Sequence, residues 1–268
     1  MTTVFDEIIA GVIEDVSARE AEISYKEMKA RSYDCPPPRD AMAALKNVGC
    51  SIIAEVKKAA PGHVIAHTIE PTALAAEFEA GGAHMIACQT ERRNFKGSLE
   101  DMYAVRQAVS VPVMCRDFII DPYQIHEARY YGADMIPLRV GALTQSRLES
   151  LIDRTESLGM TALVEVHTPA EATRAMQASA KVIGINARDL STMTIDKKIF
   201  ADIAPGLPQD TIRVALSGVR SSKELLTYAS QGADAVVIGE ELVRAASPRS
   251  FTRALVAAGQ HPSCPSRF

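Results

Sequence analysis

The chain has 268 residues, 47% of them hydrophobic and 23% charged, with a formal net charge of -4. That balance supplies a large apolar core and excludes disordered and collagen-like classes. Lys and Arg are scattered rather than gathered into a stripe, which argues against nucleic acid or an anionic membrane as partner and in favour of a small molecule.

The opening stretch MTTVFDEIIAGVIEDV mixes acids with apolar residues and has no basic start, unlike a signal peptide. No apolar run approaches the roughly 20 residues of a membrane span. Val4–Ile23 reads as an amphipathic helix and Tyr25–Ser32 as a second, followed by the rigid stop Pro36–Pro38 and a further helix at Asp40–Lys46. This extension needs a surface to cover. It is expected to plug one end of the fold or to roof its active site.

From residue 50 onward, short apolar runs alternate with stretches of helical period, the pattern of parallel strands joined by crossover helices. Strands are expected at Ser51–Lys57, His84–Thr90, Val111–Asp117, Asp134–Val140, Thr161–His167, Lys181–Ala187, Ile212–Ser217 and Ala235–Gly239. The helical spacing between them is clearest at Ser146–Leu158 and Lys223–Ser230. An internal echo supports the count: GGAHMI from Gly81, YGADMI from Tyr131 and QGADAV from Gln231 each close a helix with glycine and enter a strand. Eight evenly spaced units favour a closed (β/α)8 barrel over an open doubly wound sheet. The expected organisation is one barrel domain over residues 1–268, of which 1–48 form the helical extension.

Five cysteines, Cys35, Cys50, Cys88, Cys115 and Cys264, are an odd number without C-x-x-C spacing, which argues against a disulfide framework and against a zinc site. Reduced thiols in a cytoplasmic protein fit this pattern. Cys88 and Cys115 lie in apolar runs and read as buried, inert thiols.

In such a barrel the active site lies at the C-terminal ends of the strands. The polar residues expected there are Glu55 and Lys57, Arg116, Arg139, Glu165, Asn186 and Arg188, Ser217 and Gly218, and Gly239 and Glu240. Glu55 and Lys57 are two apart on a strand and point to the same side, where they can exchange protons or simply satisfy one another as a charge pair. Glu165 closes an apolar strand, where burial raises a carboxyl pKa towards a useful range. Ser217-Gly218 and Gly239 follow the last two strands, the usual phosphate cradle of these barrels, although glycines there also serve tight turns.

The segments IIAEVKKAAP, QTERRNFKGSLEDM, RDFIIDPYQIHEARYYGADM, TALVEVH, VIGINARDL, LSGVR and VVIGEELV, in this order and spacing, resemble those of indole-3-glycerol phosphate synthases. The likeness runs from the N-terminal helices to the last helix. It implies a (β/α)8 lyase of tryptophan biosynthesis with a roofing extension and no metal or organic cofactor. Such an enzyme takes the phosphorylated small molecule 1-(2-carboxyphenylamino)-1-deoxyribulose 5-phosphate, closes the pyrrole ring, and releases carbon dioxide and water. By this likeness Glu55 and Lys57 match the acid/base pair, Glu165 the second catalytic carboxylate, and Asn186 and Arg188 the polar residues of strand six. Ser217, Gly218 and Gly239, with Glu240 beside them, match the phosphate loops, and Phe95 and Phe118 the aromatics lining the anthranilate side. A monomer or weak homodimer is expected.

The chain departs from the family pattern within the same pocket. Arg116 stands where the family has a lysine serving as general acid, and an arginine is a poor proton donor at neutral pH though a good carboxylate fork. Ala60 replaces a serine, and APGHV with His63 replaces the usual S-P-S-x-G loop. Gln89 replaces an aliphatic residue in strand two. In strand four an aliphatic run becomes Ile136-Pro137-Leu138-Arg139-Val140, so a bulge is expected at Pro137. Arg139 should point into the barrel, where a guanidinium needs an anion, either a structural acid or, with Arg116 and Gln89, an acid on a modified aryl ring. Three readings follow: an ordinary synthase with Lys57 supplying the protons, a divergent paralogue of specialised metabolism acting on a related phosphorylated aryl-aminosugar with an altered substrate or a non-decarboxylating outcome, and a non-catalytic binding subunit. Intact Glu55, Lys57, Glu165 and Asn186 speak against the last.

Overall fold

The structure, a computed structural model, describes residues 2–66, 69–262 and 264. Eight parallel strands, β1 (Ser51–Val56), β2 (Met85–Gln89), β3 (Val113–Arg116), β4 (Met135–Arg139), β5 (Thr161–Val166), β6 (Val182–Asn186), β7 (Ile212–Leu216) and β8 (Ala235–Ile238), follow one another around a closed barrel, with β8 pairing back onto β1. Each expected strand is present, shortened by a residue or two at its ends. β1, β2, β6 and β8 are buried at every position, as parallel strands covered on both faces must be.

Alternation divides the core into two shells. Ile52, Ala54 and Val56 of β1 pack outward with the helices, whereas Ile53 joins Met85, Met114, Met135, Leu163, Val182 and Val214 in filling the barrel interior. Continuing the same alternation brings Glu55 and Lys57 to the inside of the barrel mouth, where both line a cavity.

The outer helices are α4 (Pro71–Ala80), α5 (Leu99–Ala108), α6 (Pro122–Tyr130), α7 (Gln145–Ser157), α8 (Pro169–Gln177), α9 (Lys198–Ile203), α10 (Ser222–Ser230), α11 (Glu240–Arg244) and α12 (Pro248–Gly259). The sequence echo has a double structural meaning. Gly82, Gly132 and Gly232 all have φ near +90°, the left-handed conformation that ends a helix and that glycine adopts without a Cβ penalty. Two residues later, His84, Asp134 and Asp234 each accept a backbone N–H from the start of the preceding strand, at Ile52, Val113 and Arg213. The repeat both stops a helix and stitches neighbouring strand ends together.

The N-terminal extension comprises α1 (Val4–Glu22), α2 (Tyr25–Tyr33) and α3 (Ala41–Leu45), and it covers both ends of the barrel. α1 is started by a reciprocal Thr3–Asp6 capping box. Its Ile8, Val12 and Val16 pack with Ala60, Ile65 and Phe95, on loops beyond the strand C-termini. α3 sits at the opposite end, where Ala41 and Leu45 close the interior layer against Ile53, Met85 and Ala235. α2 lies against α6 on the flank, where Ser32 and Tyr25 contact the ring of His126. α1 therefore packs on loops beyond the strand C-termini, and α3 on the interior layer at the other end.

The bulge expected at Pro137 is absent. The β4–β5 register runs from Met135 opposite Thr161 to Arg139 opposite Glu165 without a skipped residue. The disturbance falls on the other side, where the β3–β4 seam keeps a single registered pair, Met114 with Met135. A strand can accommodate a missing N–H by thinning one ladder instead of inserting a residue.

Asp134 is 1% exposed, accepts the backbone N–H of Val113 and of Arg39 at 2.7 Å each, and lies 3.4 Å from Arg106. Asp134→Ala leaves those donors buried without a partner, so we expect a loss of about 3 kcal/mol in unfolding free energy, measured by urea denaturation. A change within 0.5 kcal/mol would refute the stitching role.

Candidate active site

A cavity of about 180 Å³ opens at the C-terminal ends of the strands. Every residue singled out from the sequence as a site residue lines it: Glu55, Lys57, Gln89, Phe95, Arg116, Phe118, Arg139, Glu165, Asn186, Arg188, Ser217, Gly218, Gly239 and Glu240. Ala60 and Pro137 line it as well. His63 lies at its edge on a short antiparallel hairpin (Ala59–Ala60 with His63–Val64), 3.4 Å from the Glu240 carboxylate.

The floor of the cavity is a row of alternating charges. Lys57 Nζ is 3.9 Å from Glu55, Arg116 Nε is 3.6 Å from the other Glu55 oxygen, Arg116 Nη1 donates to Glu165, and Arg139 Nη1 is 3.7 Å from the second Glu165 oxygen. Strand register builds this row, because Gln89 and Arg116 face one another across β2 and β3, and Arg139 and Glu165 across β4 and β5. Burial disfavours the Glu55 carboxylate, but the charges of Lys57 and Arg116 and a 2.8 Å hydrogen bond from Gln89 Nε2 outweigh it and hold the group below the ordinary glutamate value. Burial likewise disfavours the Arg116 guanidinium, yet Glu165 and Glu55 hold it above its already high value. Arg116 is therefore a fixed positive charge and a poor proton donor.

Above this row runs a line of aromatic rings. Phe95 lies 6.0 Å from Phe118, and Phe118 6.1 Å from Phe5 of α1. Cations close both ends: Lys57 sits 5.3 Å from the Phe95 ring and Arg139 5.4 Å from the Phe5 ring. The loop carrying Phe95 is held by the buried Glu91 carboxylate, which accepts the backbone N–H groups of Arg93, Asn94 and Phe95.

On the other side of the cavity, Asn186 Oδ1 accepts from Ser217 Oγ at 2.9 Å and from the Arg188 N–H at 3.0 Å, which turns its amide nitrogen the opposite way. Ser217 and Gly218 are both left-handed, with φ of 67° and 83°. A non-glycine residue in that conformation costs about 1–2 kcal/mol, a strain that clusters at functional sites. Gly239 is needed for close approach, since a Cβ there would collide with the Glu55 carboxylate. Arg188 is anchored by a 3.0 Å bond to the Met193 carbonyl in a loop folded back by an Arg188–Ile195 bridge.

The sequence reading missed Phe5, and also Leu190, Met193 and Ile195, which line the cavity from the loop after β6. Phe5 is one apolar position among many on an amphipathic helix, so only the docking of α1 reveals its place. Asp117 also lines the cavity but is engaged by Thr90 Oγ1 at 2.6 Å and by the N–H of Phe118.

A closed parallel barrel whose mouth gathers two carboxylates, a lysine and two arginines is the build of a (β/α)8-barrel enzyme. Solved structures of similar fold include 3-hexulose-6-phosphate synthase from Salmonella typhimurium, with a TM-score of 0.64, 15% identity and coverage of 79% of this chain and 100% of that one. Another is thiamine phosphate pyrophosphorylase from Pyrococcus furiosus, with a TM-score of 0.58, 15% identity and coverage of 80% and 96%. At that identity they speak for the fold alone. The indole-3-glycerol phosphate synthase family model matches residues 5–255. The chain is 58% identical to the indole-3-glycerol phosphate synthase of Mycobacterium avium (strain 104) over 264 residues, covering 98% of this chain and 97% of that protein. It is 56% identical to the enzyme of the same name from Mycobacterium tuberculosis (strain ATCC 25177 / H37Ra), with the same coverage. The chain belongs to the indole-3-glycerol phosphate synthase family.

Because Gln89 donates to the ionised Glu55 carboxylate, removing that donor raises the pKa of Glu55. In Gln89→Leu, a carboxyl ¹³C NMR titration is expected to show Glu55 taking up its proton at higher pH than in the parent protein. An unmoved or lowered midpoint would contradict the assigned hydrogen bond.

Proposed function

We propose that this chain converts 1-(2-carboxyphenylamino)-1-deoxyribulose 5-phosphate to indole-3-glycerol phosphate, with loss of carbon dioxide and water, as a cytoplasmic enzyme of tryptophan biosynthesis working as a monomer or weak homodimer. The observation that carries this reading is the convergence of Lys57, Glu55, Glu165 and Asn186 in one cavity, with an aromatic row on one side and the Ser217-Gly218 and Gly239 turns on the other. Among the described residues no helix is long and apolar enough to cross a membrane.

In this scheme the substrate phosphate rests on the backbone of Ser217, Gly218 and Gly239. Glu240 lies beside it with its charge offset by Arg244 at 3.1 Å and by His63. The aryl ring lies along Phe95 and Phe118, and Arg188 and the Asn186 amide face the sugar. The ring carbon bearing the carboxylate attacks the ribulose carbonyl, and the new C–C bond leaves negative charge on the carbonyl oxygen. Arg116, with its permanent charge, stabilises that oxygen electrostatically, and Lys57 supplies the proton. Loss of carbon dioxide restores the aromatic ring. Dehydration then needs a proton on the departing hydroxyl, from Lys57 once solvent has reprotonated it, and removal of a C–H proton by Glu55 or Glu165.

The direct test incubates the purified protein with the carboxyphenylamino deoxyribulose phosphate and follows indole absorbance, with turnover expected. Lys57→Met should lower kcat by at least about a hundredfold, the usual weight of a positioned acid. Arg116→Lys, which adds a second group able to give up a proton, should raise kcat, on the order of tenfold. Absence of turnover by the parent protein, or full activity in Lys57→Met, would overturn the assignment.

A further inference from the structure

Arg139 has no part in that scheme, yet its charge in the cavity is incompletely satisfied. Its side chain is 11% exposed, and Nη1 is buried without a hydrogen-bond partner among the described residues. The nearest acid, Glu165, lies 3.7 Å away and is already bonded to Arg116 through its other oxygen. Asp117 is occupied by Thr90 and by the Phe118 N–H. The floor row therefore sets three cations against two carboxylates. A buried guanidinium with a vacant donor calls for one more anion.

Its place in the barrel indicates where that anion belongs. β4 is four strands from β8, across the barrel from the Gly239 turn. A substrate whose phosphate sits at the β7 and β8 turns thus directs its aryl end towards Arg139. The three phenylalanines run from Lys57 at one end to Arg139 at the other, so an aryl ring lying along them meets a cation at each end. A ring with one carboxylate engages only one of them. An arginine fork on the departing carboxylate would also stabilise the ground state and oppose loss of carbon dioxide. The group that Arg139 receives is one that stays.

We propose that Arg139 is a specificity determinant that binds an acidic substituent on the aryl ring, additional to the carboxylate lost as carbon dioxide, so that the preferred substrate is an aryl-aminosugar phosphate built on a dicarboxylated aniline. This rests on the ring-closing reaction proposed above, with the monocarboxylated compound turned over as the poorer of the two substrates. Pro137, two residues earlier on the same face of β4, lines the same part of the cavity with a short side chain, and Gln89 is committed to Glu55.

The experiment compares kcat/KM for the parent substrate with that for analogues carrying a second carboxylate at each free ring position. One analogue should be preferred by about tenfold or more, the weight of a hydrogen bond to a charged group. Arg139→Gln should abolish that preference, mainly through KM, and Arg139→Lys should restore part of it. A parent substrate preferred by the unaltered enzyme, or a preference unchanged in Arg139→Gln, would overturn the proposal while leaving the ring-closing function intact. The unaltered enzyme offers a check that needs no variant: benzene-1,3-dicarboxylate should inhibit more tightly than benzoate, and equal inhibition would count against the proposal. If neither the parent substrate nor any analogue is bound or turned over, the ring-closing reading falls, and this inference falls with it.

Discussion

Arg116 lies between Glu55 of β1 and Glu165 of β5 and ties two carboxylates that would otherwise be stranded in the top layer of a closed barrel. Buried acids persist only with compensating charge and hydrogen bonds. Glu55 meets that demand with Lys57, Arg116 and Gln89, and Glu165 with Arg116 and Arg139. All of these side chains reach the same layer because each strand places alternate residues inside and the barrel register aligns them. The site is thus a consequence of closure: opening the β1–β8 seam would hydrate the row and remove the reason for its pairing.

The same alternation explains why the lower layers are apolar and the mouth is polar. Met85, Met114 and Met135 fill the interior below, where the α3 segment seals them from water. Above them the interior positions become Gln89, Arg116 and Arg139 on the same three strands. Chemistry and packing share each strand, divided by depth.

Much of this was legible in the chain itself. The 50-residue echo announced its glycines and its strand starts because both ends of a βα unit place strict demands on backbone conformation. The cavity residues were legible because polar groups at the ends of apolar strands have few other roles. What escaped the reading depended on long-range docking. Phe5 reaches Phe118 and Arg139 only because α1 folds over the barrel mouth, and no local pattern marks it. The path taken around Pro137 was also hidden, since proline excludes a donor without saying which seam yields. The extension looked like either a plug or a roof, and periodicity could not reveal that α1 and α3 go to opposite ends.

That division of the extension bears on the order in which the molecule can assemble. α1, α2 and α3 are synthesised first, yet their partners come much later in the chain: Glu127 for Arg19, Asp134 for the Arg39 amide, and Ala235 for the α3 plug. The apolar face of α1 must wait for Ala60, Ile65, Phe95 and Tyr123, and the α3 plug is completed only when Ala235 of β8 has been made. A nascent chain stalled before β8 lacks both the last strand of the wall and part of the surface that receives α3. Its unsealed Leu45 face makes that stage the natural point for chaperone capture or aggregation.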